Sequence, residues 1–302
     1  MKVIKWILAI VLVLIIAGAV GGFFYFKNKF MSAPSNNLSI SELGGSFPFT
    51  WVGMDINGTY DNNIAMYVPV SIPGTDRTFY MQFDTGAPST VLYYNKVQSI
   101  NDKYGDVFQL DTVDNVLQVS DVSLKIGTVE VDASALNFRG RSNQIDWSDT
   151  TSMIKIGTVG SDFIEEYPII IDFKNEQITL AESIPKSIES KADFLPFTFE
   201  GRKVFLSAEL NNEPASLWYD SGSSAFELIV EESTFNKLSA PGAERETYIG
   251  NSWGQGVTIH NIESNGEFKF GSVSVPLTFV THMEWPNKLQ ALMIKASNIG
   301  GD

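Results

Sequence analysis

Two aspartates, Asp84 and Asp220, stand in the same local setting 136 positions apart, each closing an apolar run and preceding a hydroxyl residue and a glycine. The first run reads Phe79-Tyr-Met-Gln-Phe-Asp84-Thr85-Gly86-Ala87-Pro88, the second Ser216-Leu-Trp-Tyr-Asp220-Ser221-Gly222-Ser223. A strand of this polarity carries its carboxylate toward the interior, where an ionised acid is costly unless it is hydrogen-bonded or used. A single Asp-Thr-Gly is also good turn chemistry, because Asp bonds its own backbone and Gly accepts positive φ. Two matched copies favour a working pair. The chemistry open to paired carboxyls is proton transfer, one acting as base while the other acts as acid.

The elements around the two acids repeat as well. Phe47-Pro-Phe-Thr-Trp-Val-Gly53 matches Leu195-Pro-Phe-Thr-Phe-Glu-Gly201, and Leu124-Lys-Ile-Gly-Thr-Val-Glu-Val131 matches Phe268-Lys-Phe-Gly-Ser-Val-Ser-Val275. Met153-Ile-Lys155, followed by Val159-Gly-Ser-Asp162, matches Met293-Ile-Lys295, followed by Ile299-Gly-Gly-Asp302. Four collinear matches at offsets between 136 and 148 mark a duplicated unit. Short apolar runs bounded by Gly, Asn and Pro fill each copy, so the expected class is all-β. Val68–Ile72 and Phe79–Phe83 flank Pro73-Gly74, while Tyr167–Phe173 and Gln177–Leu180 form a later hairpin. A short helical turn suits Ser161 to Glu166.

With 302 residues and 44% hydrophobic content, the chain can build two cored halves. We expect segments at 1–31 (membrane anchor), 32–46 (polar tether), 47–182 (first half), 183–194 (connector) and 195–302 (second half). A net charge of −14 argues against a nucleic-acid partner, whose binding needs a basic footprint. Absence of cysteine removes disulfides and thiol nucleophiles. The 21 uncharged residues Trp6 to Phe26 between lysines are long enough to span a bilayer of ~30 Å. A cleaved signal peptide, with Ala17-Gly-Ala19 at its end, is the competing reading; the length favours a single-pass anchor with the remainder outside the cytoplasm.

Asp84-Thr-Gly86, Thr158-Val-Gly160-Ser-Asp-Phe163 and Ile169-Ile-Ile-Asp-Phe-Lys-Asn-Glu-Gln-Ile-Thr-Leu180 together resemble the retropepsin-like aspartic protease unit. Two such units in one chain resemble the bilobal pepsin architecture, over roughly Phe47 to Asp302. The resemblance implies an endopeptidase in which Asp84 and Asp220 meet between two β-barrel lobes and activate one water on a bound peptide. Such a pair shares one proton and requires no metal or organic cofactor. It also implies that Thr85 and Ser221 turn their hydroxyls onto the opposite loop, that Gly86 and Gly222 allow close approach, and that Thr158-Val-Gly160 and Asn298-Ile-Gly300 pass behind the acids. By the same resemblance Ser223 is expected to donate to the Asp220 carboxylate. Ala87, at the matching position, cannot, so the pair should titrate nearer neutrality than in relatives with a hydroxyl at both places.

Three departures from the family pattern stand out. No tyrosine occurs from Gly105 to Asp149, where the family's covering flap carries one; Trp253, in Gly250-Asn-Ser-Trp-Gly-Gln-Gly256, is the candidate substrate-binding cover, with a core role as the alternative. The second copy also lacks counterparts of the 18 residues Phe163 to Leu180, and Tyr219 is bulky before Asp220. His260 and His282 are isolated in sequence and read as structural. One chain supplying both halves is expected to act as a monomer. The alternative function is a non-catalytic protein of the same fold that holds an extended peptide in its cleft.

Overall fold

The computed structural model describes residues 18, 20–22, 33–252, 254–286 and 298–300 and consists mostly of β-strands. The chain divides into two units, Met1–Ser35 and Asn36–Asp302. In the first, residues 18 and 20–22 are helical, and the anchor expected at 1–31 otherwise lies outside the described residues. Among the described residues no helix is long and apolar enough to cross a membrane.

In the second unit, strand periodicity decides which side chains enter the core. Phe79, Met81 and Phe83 are buried on one face of the strand Phe79–Phe83, while Tyr80 and Gln82 stay half-buried on the other. Burying each large apolar side chain contributes roughly 1.5–3 kcal/mol relative to leaving it exposed. The three pack with Phe47, Met66, Ile156 and Phe163 in one apolar cluster, whereas Leu217, Leu228, Phe235 and Val280 belong to another.

The two clusters go with two large sheets that repeat one local plan. In the nine-stranded sheet, Phe79–Phe83 lies between Thr59–Ser71, antiparallel, and Lys155–Val159, parallel; Val91–Leu92 pairs antiparallel on the far side of the latter. In the ten-stranded sheet, Glu213–Tyr219 lies between Lys203–Leu210, antiparallel, and Asn298–Gly300, parallel; Leu228–Val230 is again antiparallel beyond it. A third sheet joins Ile169–Asp172, Gln177–Leu180 and Ser46–Pro48. Each aspartate therefore follows a strand held on both sides.

The opening hairpins of the two copies differ in length. Thr50–Ile56 and Thr59–Ser71 turn at Asn57-Gly58, with φ of 52° and 86°, the left-handed pair that a two-residue hairpin turn needs. Phe197–Glu200 and Lys203–Leu210 turn sooner, at Gly201-Arg202, both with φ of 59°.

Two expectations are corrected. The stretch 32–46 is not a tether throughout: Leu38–Ser41 pairs antiparallel with Val129–Phe138, because Leu38 and Ile40 alternate inward and pack against the first core cluster. A helix at Tyr94–Tyr104 interrupts the first half, against the expectation of strands almost throughout; it seats Val97 and Ile100 in that cluster. Ser161–Ile164 forms a 3-10 turn, and the connector contains a short helix, Lys186–Glu189.

Candidate active site

Asp84 and Asp220 begin loops at the ends of equivalent strands, and the two loops face each other. Asp84 is 7% exposed and Asp220 8%. Backbone amides of each loop fold back onto its own acid: Gly86 N and Ala87 N donate to Asp84 Oδ1 at 2.9 and 3.0 Å, and Gly222 N donates to Asp220 Oδ1 at 2.9 Å. Asp-X-Gly builds this turn unaided, since the carboxylate accepts from amides two and three residues on.

Cross-loop bonds then fix one loop against the other. Thr85 N donates to Ser221 Oγ and Ser221 N donates to Thr85 Oγ1, each at 3.0 Å. The hydroxyls pass their own protons onward, Thr85 to Tyr219 O at 3.1 Å and Ser221 to Phe83 O at 3.2 Å. A Cβ added to Gly86 would collide with the Asp220 carboxylate, and one added to Gly222 with that of Asp84. Glycine is therefore required at both positions by proximity, with no demand on φ.

Behind the first loop, Asp84 N donates to Val159 O at 3.0 Å and Ser161 Oγ to Thr85 O at 2.7 Å. Buried Asp162 accepts from Thr90 N, at 2.9 and 2.7 Å, and from Thr90 Oγ1 at 2.7 Å. Burial raises the Asp162 carboxyl above its ordinary range, against the pull of these donors.

The electrostatics of the pair are unequal. Burial, and then the neighbouring Asp220, push Asp84 well above the usual carboxylate range. Burial raises Asp220 too, but the Ser223 hydroxyl, 3.0 Å from Oδ2, the Gly222 amide and a hydrogen bond from Asp84 favour its ionised form. Asp84 lacks a side-chain donor of this kind, because residue 87 is alanine and contributes its amide alone. The donors around the pair thus favour the ionised form at Asp220 more than at Asp84. Lys203, half-buried with its ammonium 4.2 Å from the Trp218 ring centroid, adds a favourable charge for ionised Asp220.

Both acids line a cleft of about 800 Å³. Its apolar wall includes Met54, Ile56, Trp218, Phe226, Ile249 and Val257. Two strands at its border, Thr50–Ile56 and Glu246–Ser252, each pair on one side only among the described residues. Trp253 itself lies outside the described residues, although Ile249, Gly250, Asn251 and Gln255 of the same hairpin line the cleft.

The expected residues Asp84, Thr85, Gly86, Asp220, Ser221, Gly222 and Ser223 all come together here. His260 and His282 lie on adjacent strands instead, their rings stacked at 6.0 Å; His260 Nδ1 meets Thr247 Oγ1 at 2.8 Å and His282 Nδ1 meets Val230 O at 3.0 Å. Met54, Lys203 and Trp218 went unnoticed in the sequence. Asn57-Gly58 was a readable signal for the hairpin carrying Met54; nothing in composition distinguishes Lys203 from a surface lysine. The chain matches no protein-family model, and a search of curated proteins also finds no match.

Proposed function

We propose that this chain is an aspartic endopeptidase of bilobal, pepsin-like architecture, hydrolysing peptide bonds with a water activated between Asp84 and Asp220. The observation that carries the reading is the pair itself: two buried carboxyls, each set against the glycine of the opposite loop and each with its own amide donors, in loops that exchange hydroxyl bonds. Ionised Asp220 takes a proton from the water as its oxygen attacks the peptide carbon. Protonated Asp84 gives its proton to the carbonyl oxygen, leaving a neutral tetrahedral diol. Collapse of the diol breaks the C–N bond: Asp220 gives the proton it took from water to the departing nitrogen while ionised Asp84 takes a proton from a diol hydroxyl, so the products are an amine and a carboxylic acid and the pair again holds one proton. The apolar stretch 6–26 fits a single-pass anchor holding this domain outside the cytoplasm.

Incubation of the full chain with a mixed peptide library tests the activity. Asp84→Asn and Asp220→Asn should each lower turnover by about 10²- to 10⁴-fold, the usual span for loss of general acid–base catalysis. A statine-type mimic of the diol should block the wild type. Unaltered turnover in either variant refutes the reading.

A second reading, a protein that holds extended peptides without cutting them, draws on strands 50–56 and 246–252 beside the cleft, each paired on one side only among the described residues and so suited to strand addition. Tight peptide binding without any cleavage would favour it.

A further inference from the structure

One buried cation beside the site has no part in the chemistry above. Arg202 is 4% exposed and occupies the left-handed turn between Phe197–Glu200 and Lys203–Leu210. Its guanidinium reaches 114 residues back in the chain, where Nη1 donates to Pro88 O at 3.1 Å and to Ser89 Oγ at 3.4 Å. Nε and Nη2 both meet Glu165 Oε2, at 3.0 and 2.8 Å. Pro88 and Ser89 form the outer half of the Asp84 loop. Glu165 ends the 3-10 turn whose Ser161 and Asp162 hold the inner face of that loop through Thr85 O and Thr90. The same Glu165 oxygen accepts from Asn36 Nδ2 at 2.9 Å, so the acceptor is itself fixed.

The clasp is one-sided. At the repeat offset of 148, the counterpart of Gly201 is Gly53 and that of Arg202 is Met54, a 55%-exposed side chain lining the cleft. The exchange between Thr85 and Ser221 pins only the first residues after each aspartate. Pro88 and Ser89 of the first loop meet the second copy through Arg202, while Thr90 is held by Asp162 of its own copy.

We infer that Arg202 is a positioning residue: by tying Pro88, Ser89 and Glu165 to the second copy's hairpin turn, it sets the distance at which Asp84 faces Asp220. The inference rests on the endopeptidase reading for its kinetic consequence but not for its geometry. Charged groups around the two sites include Glu165 and Asp162 near Arg202, Lys203 near Asp220, and Arg139, which lines the cleft with both acids. A planar fork with several fixed donors suits this task better than the single point charge of an ammonium.

The test compares the full-length wild type with Arg202→Met and Arg202→Lys by peptide cleavage across pH, carboxyl ¹³C titration of Asp84 and Asp220, and thermal unfolding. Arg202→Met should lower kcat about 10- to 100-fold with KM little changed, the effect of an ångström-scale misplacement. It should also narrow the gap between the pair's two apparent titration steps, because two acids held farther apart interact less. Arg202→Lys should recover part of both. If Arg202→Met does not fold, Arg202→Lys is judged by the same two readouts. Wild-type kcat and wild-type carboxyl titration in a folded variant, whatever its melting temperature, would reduce Arg202 to a stabiliser of the fold and overturn the inference. A wild type that cleaves nothing refutes the endopeptidase reading instead, and the carboxyl titration, which needs no turnover, still decides the role of Arg202.

Discussion

The hydroxyls of Thr85 and Ser221 each accept the backbone amide proton of the other residue, at 3.0 Å in both directions. Each hydroxyl is thus both acceptor from and donor to the opposite loop, and neither loop satisfies its buried amide without its counterpart.

Ser221→Ala should therefore leave the Thr85 amide unpaired in a buried setting and cost about 1–3 kcal/mol. Thr85→Ser, which keeps the hydroxyl, should cost much less. Chemical denaturation of the two variants checks the difference.

Gly86→Ala and Gly222→Ala should each drive the opposing carboxylate aside, because the new methyl would collide with it directly. Neither glycine has a left-handed φ, so the loss should fall on the pair more than on the backbone. Measured turnover should drop to the level of Asp84→Asn in variants whose circular dichroism remains native.

Stability should depend on pH through the raised carboxyls. A group with a folded-state pKa above its unfolded value binds its proton more tightly in the native state. The resulting stabilisation is complete below the unfolded pKa, near 4, and is lost as pH rises through the folded value. Asp84 is raised chiefly by burial, then by Asp220, so Asp84→Asn should gain stability over wild type as pH climbs from 4 to 8. Melting curves across that interval would show a widening gap; a gap that closes toward alkaline pH would contradict the assignment.

Ala87→Ser should supply Asp84 with the hydroxyl donor that Ser223 gives Asp220. Favouring the ionised form of Asp84 lowers the pH at which the shared proton leaves. The alkaline limb of the pH–rate profile should move toward acid, with the acidic limb following less. Superimposable profiles would show that residue 87 has no bearing on the pair.

How much of this was legible without coordinates depends on whether the signal was local. Phe79, Met81 and Phe83 announce a buried strand by alternation, and Asp-Thr-Gly with Asp-Ser-Gly announces two equivalent loops, so the paired acids and their flanking residues could be named in advance. The duplication carried the rest of the β pattern. Leu38–Ser41 was lost because its two apolar residues sit in a Ser- and Asn-rich stretch, and its worth as a strand comes only from a partner almost a hundred residues away, around Val131. Tyr94–Tyr104 was missed because a mean composition rich in Asn, Lys and Gln hides an apolar stripe as thin as Val97 and Ile100. Arg202 illustrates the remaining gap: an arginine after glycine reads as solvent-facing turn chemistry, and its burial depends entirely on what the other copy places above it.

The unequal hairpins opening the two copies, one running on to Asn57-Gly58 and the other stopping at Gly201-Arg202, break the dyad symmetry that duplication would otherwise impose. A perfectly twofold groove reads a polypeptide equally well from either end. Here one rim offers Met54 and Ile56 while the matching place on the other copy is a buried arginine, so the groove has a head and a tail, and any elongated ligand would find unlike rims beside Asp84 and Asp220.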